Sequence, residues 1–206
     1  MAAADTTTLV ALTGPAGAGK DTFAWRLVSA YGFARFAFAD PVREAALTVM
    51  RAADVDHAYL TERHLKEQPL PGLGFSARRL LQVLGTECGR SLDHDIWVRI
   101  MRLRLGLHTA QPVHDRIVIT DVRYPNEARA VREWGAHLVG ISRSRVSAVE
   151  PHSSETHYAD LMAGADTLVV NDGSVHQLHH LADGLADSLG LDQRPSNILW
   201  EELNHA

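Results

Sequence analysis

A chain of 206 residues has room for one sizeable α/β domain with insertions and is short for two independent ones. Its 20 Lys and Arg against 25 Asp and Glu leave a net charge of −5, so no broad basic field for polymeric nucleic acid or an anionic membrane is implied. The single cysteine, Cys88, excludes an intrachain disulfide, and neither a membrane-spanning apolar run nor a signal peptide is visible, which together suit a soluble chain of a reducing cytosol.

In chain order, residues 9–13 form an apolar run that reads as a strand, and GPAGAGKDT follows at once over 14–22. Gly14, Gly17, Gly19 and Lys20 fit G-x-x-x-x-G-K, and Phe23, Ala24, Leu27, Val28 and Tyr31 then have the spacing of a helix. Strand, glycine loop and helix are the context of a phosphate cradle. Backbone N–H groups around Gly14, Gly17, Ala18 and Gly19 point inward, the helix N-terminus adds partial positive charge, and Lys20 reaches the β- and γ-phosphates. A plain glycine-rich turn would not call for a Lys at this position. The pattern usually places Ser or Thr after the Lys to ligate Mg²⁺; here Asp21 stands there and Thr22 follows, so the metal falls to Asp21 through water or to Thr22.

Residues 33–39 read as a second strand with Phe36 and Phe38 on one face, ended by Asp40 as N-cap and Pro41 at the first helical position, with helix to about 53. Pro69, Pro71, Gly72 and Gly74 mark 54–74 as largely loop. Over 76–90 a helix is expected, with Leu80, Leu81, Leu84 and Cys88 on an apolar stripe and Arg79, Gln82, Thr86 and Arg90 opposite. The next helix, capped by Ser91, Asp93 or Asp95, has Ile96, Ile100, Leu103 and Leu107 as its expected core stripe. Residues 117–120 form a buried-type strand ending in Asp121, a helix opens near Pro125 and stops at Gly135, and 137–142 is another strand. After a polar stretch over 143–160, the strand 168–170 leads through Asn171, Asp172 and Gly173 into a helix carrying Leu178, Leu181, Leu185 and Leu189, and the tail docks through Leu199 and Trp200. Alternating strands and helices imply a mostly parallel sheet covered on both faces, with the site beyond the C-terminal strand ends. Polar groups follow each strand there: the glycine loop, Asp40, Asp121 with Arg123, Arg143 with Arg145, and Asn171 with Asp172.

Several of these suit phosphoryl transfer. Asp121 at a strand end is placed to orient Mg²⁺, and Arg123 two residues on faces the transferring group. Arg143 and Arg145 would close over the γ-phosphate and exclude water. Arg79 and Arg90, without an acid on their stripe and with Arg43 and Lys66 nearby, suit an anionic acceptor. Trp97 either stacks on a base or packs in the core. His176, His179 and His180 include an i, i+4 pair but no third metal ligand nearby.

The strings GPAGAGKDT (14–22), FADPVRE (38–44), RRLLQVLGTECGR (78–90), IWV (96–98), ITDVRYPNEA (119–128), HSSE (152–155) and VVNDGS (169–174) together resemble bacteriophage-type deoxynucleoside monophosphate kinases. The glycine loop is widely shared; the LLQ-x-LGTE-x-GR and TDVR-x-PNE strings are far more specific. The resemblance covers nearly the whole chain, least at 54–75 and in the tail. It implies a P-loop NTPase three-layer α/β fold in a single kinase domain, with a core over 1–40, 111–142 and 161–206, an acceptor-binding insertion over 41–110 and a short lid over 143–160. It also implies ATP and Mg²⁺, a deoxynucleoside 5′-monophosphate as acceptor, often a homodimer, and the host cytoplasm for a phage-encoded chain. Lys20, Asp21, Asp121 and Arg123 inherit catalytic roles, and Arg43, Lys66, Glu67, Arg79, Gln82, Arg90 and Trp97, with Asp40 beside them, acceptor roles. Asn171 and Gly173 fall where related kinases hold adenine. The expected reaction is ATP + dNMP giving ADP + dNDP, and an acceptor phosphate oxygen, already ionised, needs no general base. Two rivals stand beside it: a hydroxyl kinase related to dephospho-coenzyme A kinase, with Asp21 or Asp40 as base, and an ATP-binding module without turnover.

Overall fold

The structure, a computed structural model, describes residues 7–109, 115–144 and 157–194. In chain order the first elements are β1 (Thr8–Thr13), α1 (Lys20–Tyr31), β2 (Ala34–Phe36), α2 (Asp40–Ala52), α3 (Ala58–Thr61) and α4 (Ala77–Gln82). A π-helical stretch Val83–Gly89 continues α4 into α5 (Arg90–Leu92), and α6 (Ile96–Thr109) follows. The remainder is β3 (Arg116–Val122), α7 (Pro125–Glu133), β4 (His137–Ser142), α8 (Tyr158–Ala163), β5 (Thr167–Val170) and α9 (Val175–Ser188). These residues fall into two compact units: the chain up to Ala37 with the chain from Leu105 onward, and the segment from Phe38 to Arg104.

The first unit holds a five-stranded parallel sheet in the order β2-β3-β1-β4-β5. Alternation along the strands sends Val10, Leu12, Val118, Val139 and Ile141 to one face, where they meet Phe23, Leu27 and Tyr31 of α1 and Leu178, Ala182 and Leu185 of α9 in one buried cluster. On the other face α8 lies on β4, its Met162 sulfur where a Cβ on Gly140 would be. Three layers result. β1 lies centrally, with β3 on one side and β4 on the other, so its C-terminal end opens at the crevice where α/β sheets bind ligands.

Helices α1 and α9 are joined by charge as well as by packing. Arg26 donates from Nε to Asp183 Oδ1 at 2.7 Å and from a second nitrogen to Oδ2 at 3.0 Å, and the Tyr31 hydroxyl donates to the same carboxylate at 3.1 Å. Burial pushes the Asp183 carboxyl up, but the Arg26 guanidinium and the Tyr31 hydroxyl outweigh it and hold the group below its usual range.

The second unit has its own core of Ala46, Met50, Val55, Leu60, Leu70, Ala77 and Leu80. Here the expected periodicity fails in an instructive way. Once the helix widens at Val83, residues five apart rather than four align. Gly89 therefore turns inward in place of Cys88, which is exposed. The same widening brings Glu87 under Arg79, an acid on what read as a purely basic stripe. Among the described side chains of α6 Met101 is buried, whereas Leu103 and Leu107 of the expected stripe are 68% and 75% exposed. The run IWVRIMRLRLGL offers two apolar faces and only packing selects between them. In α9, Ala182 and Ala186 complete the buried face and Leu181 is exposed. The second strand spans only Ala34–Phe36, with a turn at Phe38 and Ala39. Asp40 is the first residue of α2 rather than its cap, and its carboxylate accepts from Arg43 at 2.9 Å. The expected docking of Leu199 and Trp200 lies outside the described residues.

Because the folded Asp183 carboxyl titrates below its unfolded value of about 3.9, its contribution is complete above about pH 5 and drains away as pH falls through the folded value. Urea unfolding of Asp183→Asn at pH 7 and pH 3 is therefore expected to show a smaller difference between midpoints than the parent. An equal difference would mean that the Arg26–Asp183 pair has no part in acid stability.

Candidate active site

The glycine loop starts where β1 ends, close against the main chain of β4. Gly14 has φ 137°, and a Cβ there would lie 2.0 Å from the Ile141 carbonyl oxygen of β4. Gly19 has φ 104° and is the N-cap of α1, with no side chain capping the helix. No side chain covers the first turn of α1, and the helix dipole there favours an anion. Lys20 is 9% exposed; its Nζ donates to the carbonyls of Gly14 at 2.6 Å and Pro15 at 2.8 Å and lies 5.9 Å from the centre of the Tyr158 ring. Its ammonium is held at the mouth of the loop by carbonyl dipoles and an aromatic face.

A cleft of about 480 Å³ lies over this loop, lined by Gly17, Gly19, Lys20, Asp21, Thr22 and Arg143, with Asn171, Gly173 and the start of α9. Eight of the residues expected from the sequence to serve ATP or the phosphoryl group thus line one surface, with buried Ala18 beneath. Arg145 lies outside the described residues, as does HSSE (152–155).

Asp121 and Arg123 are positioned from β3, next to β1, and do not line that cleft. The β1–β3 register slips by one residue between Ala11 and Thr13, so that three steps on β3 match two on β1, and the Thr13 hydroxyl donates to the Val122 carbonyl at 2.9 Å. Such bulges re-aim side chains at strand ends. Asp121 is buried there. Beyond it, the Glu127 carboxylate, 2% exposed, accepts from the N–H groups of Arg123 at 2.8 Å and Tyr124 at 3.1 Å and fixes the turn that carries Arg123. No role was expected of Glu127, because Tyr124 stands where a capping box has Ser or Thr, yet the carboxylate reaches back to the N-cap N–H as the Glu of such a box does.

The residues expected to hold the acceptor, Asp40 included, all lie in the second unit, and several are engaged there. Arg43 bonds Asp40, Glu67 pairs with Arg78, Arg79 with Glu87, and Arg90 donates to the His94 carbonyl at 3.2 Å. Lys66 accepts through its carbonyl from Arg78 N–H, and Gln82 is half-buried at the end of α4. Trp97 donates its indole N–H to the Gly85 carbonyl at 2.7 Å, and its ring lies where a Cβ on Gly89 would be. Among the described residues no group of three or more His, Cys, Asp or Glu could cage a metal, the histidines of α9 included, and no helix is long and apolar enough to cross a membrane.

Comparison with known proteins decides the family. The model of the family described as deoxynucleotide monophosphate kinase matches residues 71–181, more than half of the chain. This chain belongs to that family. A putative deoxynucleotide monophosphate kinase of Acanthamoeba polyphaga mimivirus is 28% identical over 83% of this chain and 92% of its own. The deoxynucleoside-5′-monophosphate kinase of Escherichia phage T5 is 31% identical over 61% of this chain and 72% of its own. Among solved structures, TT1252 from Thermus thermophilus has the same fold, with a TM-score of 0.51 and 15% identity over 89% of this chain and 98% of that one. The family match begins well after the glycine loop, so the phosphate cradle and the family strings are separate observations on one chain.

Adding a methyl group to Gly14 sets it against a carbonyl and forces a strained φ, which costs about 1–3 kcal/mol in backbone strain alone. Gly14→Ala is expected to lower the urea midpoint and weaken nucleotide binding. Gly106→Ala, in α6 with nothing within 4 Å, should gain about 0.5–1 kcal/mol. Equal stability of the two variants would show that the loop is not clamped by β4.

Proposed function

We propose that this chain transfers the γ-phosphoryl group of ATP to the 5′-phosphate of a deoxynucleoside monophosphate, yielding a deoxynucleoside diphosphate and ADP. The observation that carries this reading is the glycine loop with an uncapped α1 and a held Lys20, in a member of the deoxynucleotide monophosphate kinase family. In it, the N–H groups of Gly17, Gly19 and the first turn of α1 receive the β- and γ-phosphates, Lys20 leaves its loop carbonyls for the phosphate oxygens, and the nucleotide extends along the cleft toward Asn171 and Gly173. Asp21 and Thr22, which line the cleft, and Asp121 at the adjacent strand end are hard oxygen donors of the kind that suit Mg²⁺ directly or through water. The ion, when bound, would neutralise charge on the phosphates.

Catalysis in this reading is positioning and charge stabilisation. The acceptor oxygen is already ionised, so no side chain has to remove a proton. Arg123, presented by the turn that Glu127 holds, and Arg143, with Arg145 beyond the described residues, supply positive charge to the loose transition state. The second unit, with Arg43, Lys66, Glu67, Arg79, Gln82, Arg90, Trp97 and Asp40, receives the monophosphate. A homodimer belongs to the same reading, and the exposed leucines of α6 offer apolar surface for it.

Lys20→Ala is expected to abolish ADP release in the presence of every deoxynucleoside monophosphate while the protein stays folded. Arg123→Ala should lower kcat by roughly 10³–10⁵ with the KM for the monophosphate little changed. A coupled ADP-release assay with circular dichroism reads both. Full activity of Lys20→Ala would remove the kinase reading, and an effect of Arg123→Ala on monophosphate KM alone would move Arg123 from the transferring group to the acceptor.

A further inference from the structure

The family resemblance assigns adenine to the turn after β5, yet the first side chain of that turn reaches the phosphate loop. Asn171 is 6% exposed, and its Nδ2 donates to the Ala18 carbonyl at 2.8 Å in a buried bond. Ala18 is fully buried between Gly17 and Gly19, both at positive φ. The same nitrogen lies 2.3 Å from where a Cβ on Gly19 would be, so the amide fills the space over the glycine that starts α1. One side chain therefore ties down the middle of the loop and packs against its end.

The turn that carries Asn171 is itself anchored on two sides. The Asn171 N–H donates to the Ser142 carbonyl of β4 at 2.8 Å. The Asp172 carboxylate accepts from Ser144 N–H at 2.7 Å and from the Ser144 hydroxyl at 2.6 Å, beside Arg143 in the chain. Beyond Gly173, Ser174 and Gln177 cap α9 reciprocally, at 2.7 and 3.2 Å. Ala18 is thus held at both polar atoms, its N–H on the Pro15 carbonyl at 3.2 Å and its carbonyl on a buried amide in a fixed frame, and this sets the peptide planes on either side of it.

We propose that Asn171 is a positioning residue of the phosphate loop, and that its contribution to nucleotide binding does not depend on the base. This rests on the nucleotide reading of the loop given above and adds to it a residue that acts through Ala18. Removing the amide leaves a buried carbonyl without its donor and a gap above Gly19, so the bound geometry of the loop becomes one of several.

The test compares dissociation constants of Mg²⁺-ATP, Mg²⁺-GTP and inorganic tripolyphosphate for the full chain, Asn171→Ala and the isosteric Asn171→Asp, well below each melting temperature. Asn171→Ala is expected to weaken all three probes by a common factor of about ten. Asn171→Asp, which sets a carboxylate against the Ala18 carbonyl, should weaken all three at least as much and carries the comparison if the alanine variant does not fold. The KM for the monophosphate should not move. A loss confined to ATP would make Asn171 a ligand of adenine and overturn the proposal. So would a lower melting temperature with unchanged dissociation constants, the mark of a purely structural role. A parent that binds none of the probes would remove the nucleotide reading itself, whereas a parent that binds them without phosphorylating any monophosphate would remove only the assigned reaction.

Discussion

A phosphate site built from backbone N–H groups has to keep most of them out of the protein's own hydrogen bonds, even though Ala18 N–H is used here on the Pro15 carbonyl at 3.2 Å. The loop between β1 and α1 cannot be stabilised as a helix or strand is, and its shape has to be imposed from outside. Three contacts impose it: the Ile141 carbonyl closes against Gly14, the Lys20 ammonium gathers the Gly14 and Pro15 carbonyls, and the Asn171 amide takes the Ala18 carbonyl. Two of the three come from β4 and the end of β5, so the placement of β1 beside β4 in the sheet is what makes the loop possible. Lys20 joins structure to chemistry, because the charge that holds the loop together is the one a triphosphate would claim.

The same economy appears at the end of β3. A bulge and the Thr13–Val122 bond set Asp121, and Glu127 spends a buried carboxylate on two N–H groups to hold Arg123. In the second unit the basic residues are paired instead with exposed acids, Arg79 with Glu87 and Arg78 with Glu67. Exposed pairs of this kind are worth roughly 0–1 kcal/mol, so an incoming phosphate dianion can displace a glutamate at little cost. In the proposed reading the two halves of the chain would treat charge differently: fixed where it would meet a transition state, and exchangeable where an acceptor would enter and leave.

What could be read from the sequence was local. The loop, β1, α1 and β4 each carry their determinants within a dozen residues, and Phe23, Leu27, Val28 and Tyr31 are buried as their spacing requires. The three-layer parallel architecture followed from alternation alone. The failures are non-local. The π-helical stretch keeps ordinary helix composition, so nothing in LGTECG announces that Gly89 rather than Cys88 faces inward. The choice between the two apolar faces of α6 is made by packing. The tie from Asn171 to Ala18 spans 153 positions, and a strand-end Asn reads equally well as a ligand of a base.

The most direct measurement of the central claim is the fate of the phosphoryl group. With ATP labelled at the γ-phosphate, Mg²⁺ and a mixture of deoxynucleoside monophosphates, the label should appear as the β-phosphate of a deoxynucleoside diphosphate, resolved by ³¹P NMR or chromatography, with ADP formed in equal amount. Label released only as inorganic phosphate, or joined to a hydroxyl rather than to the 5′-phosphate, would contradict it.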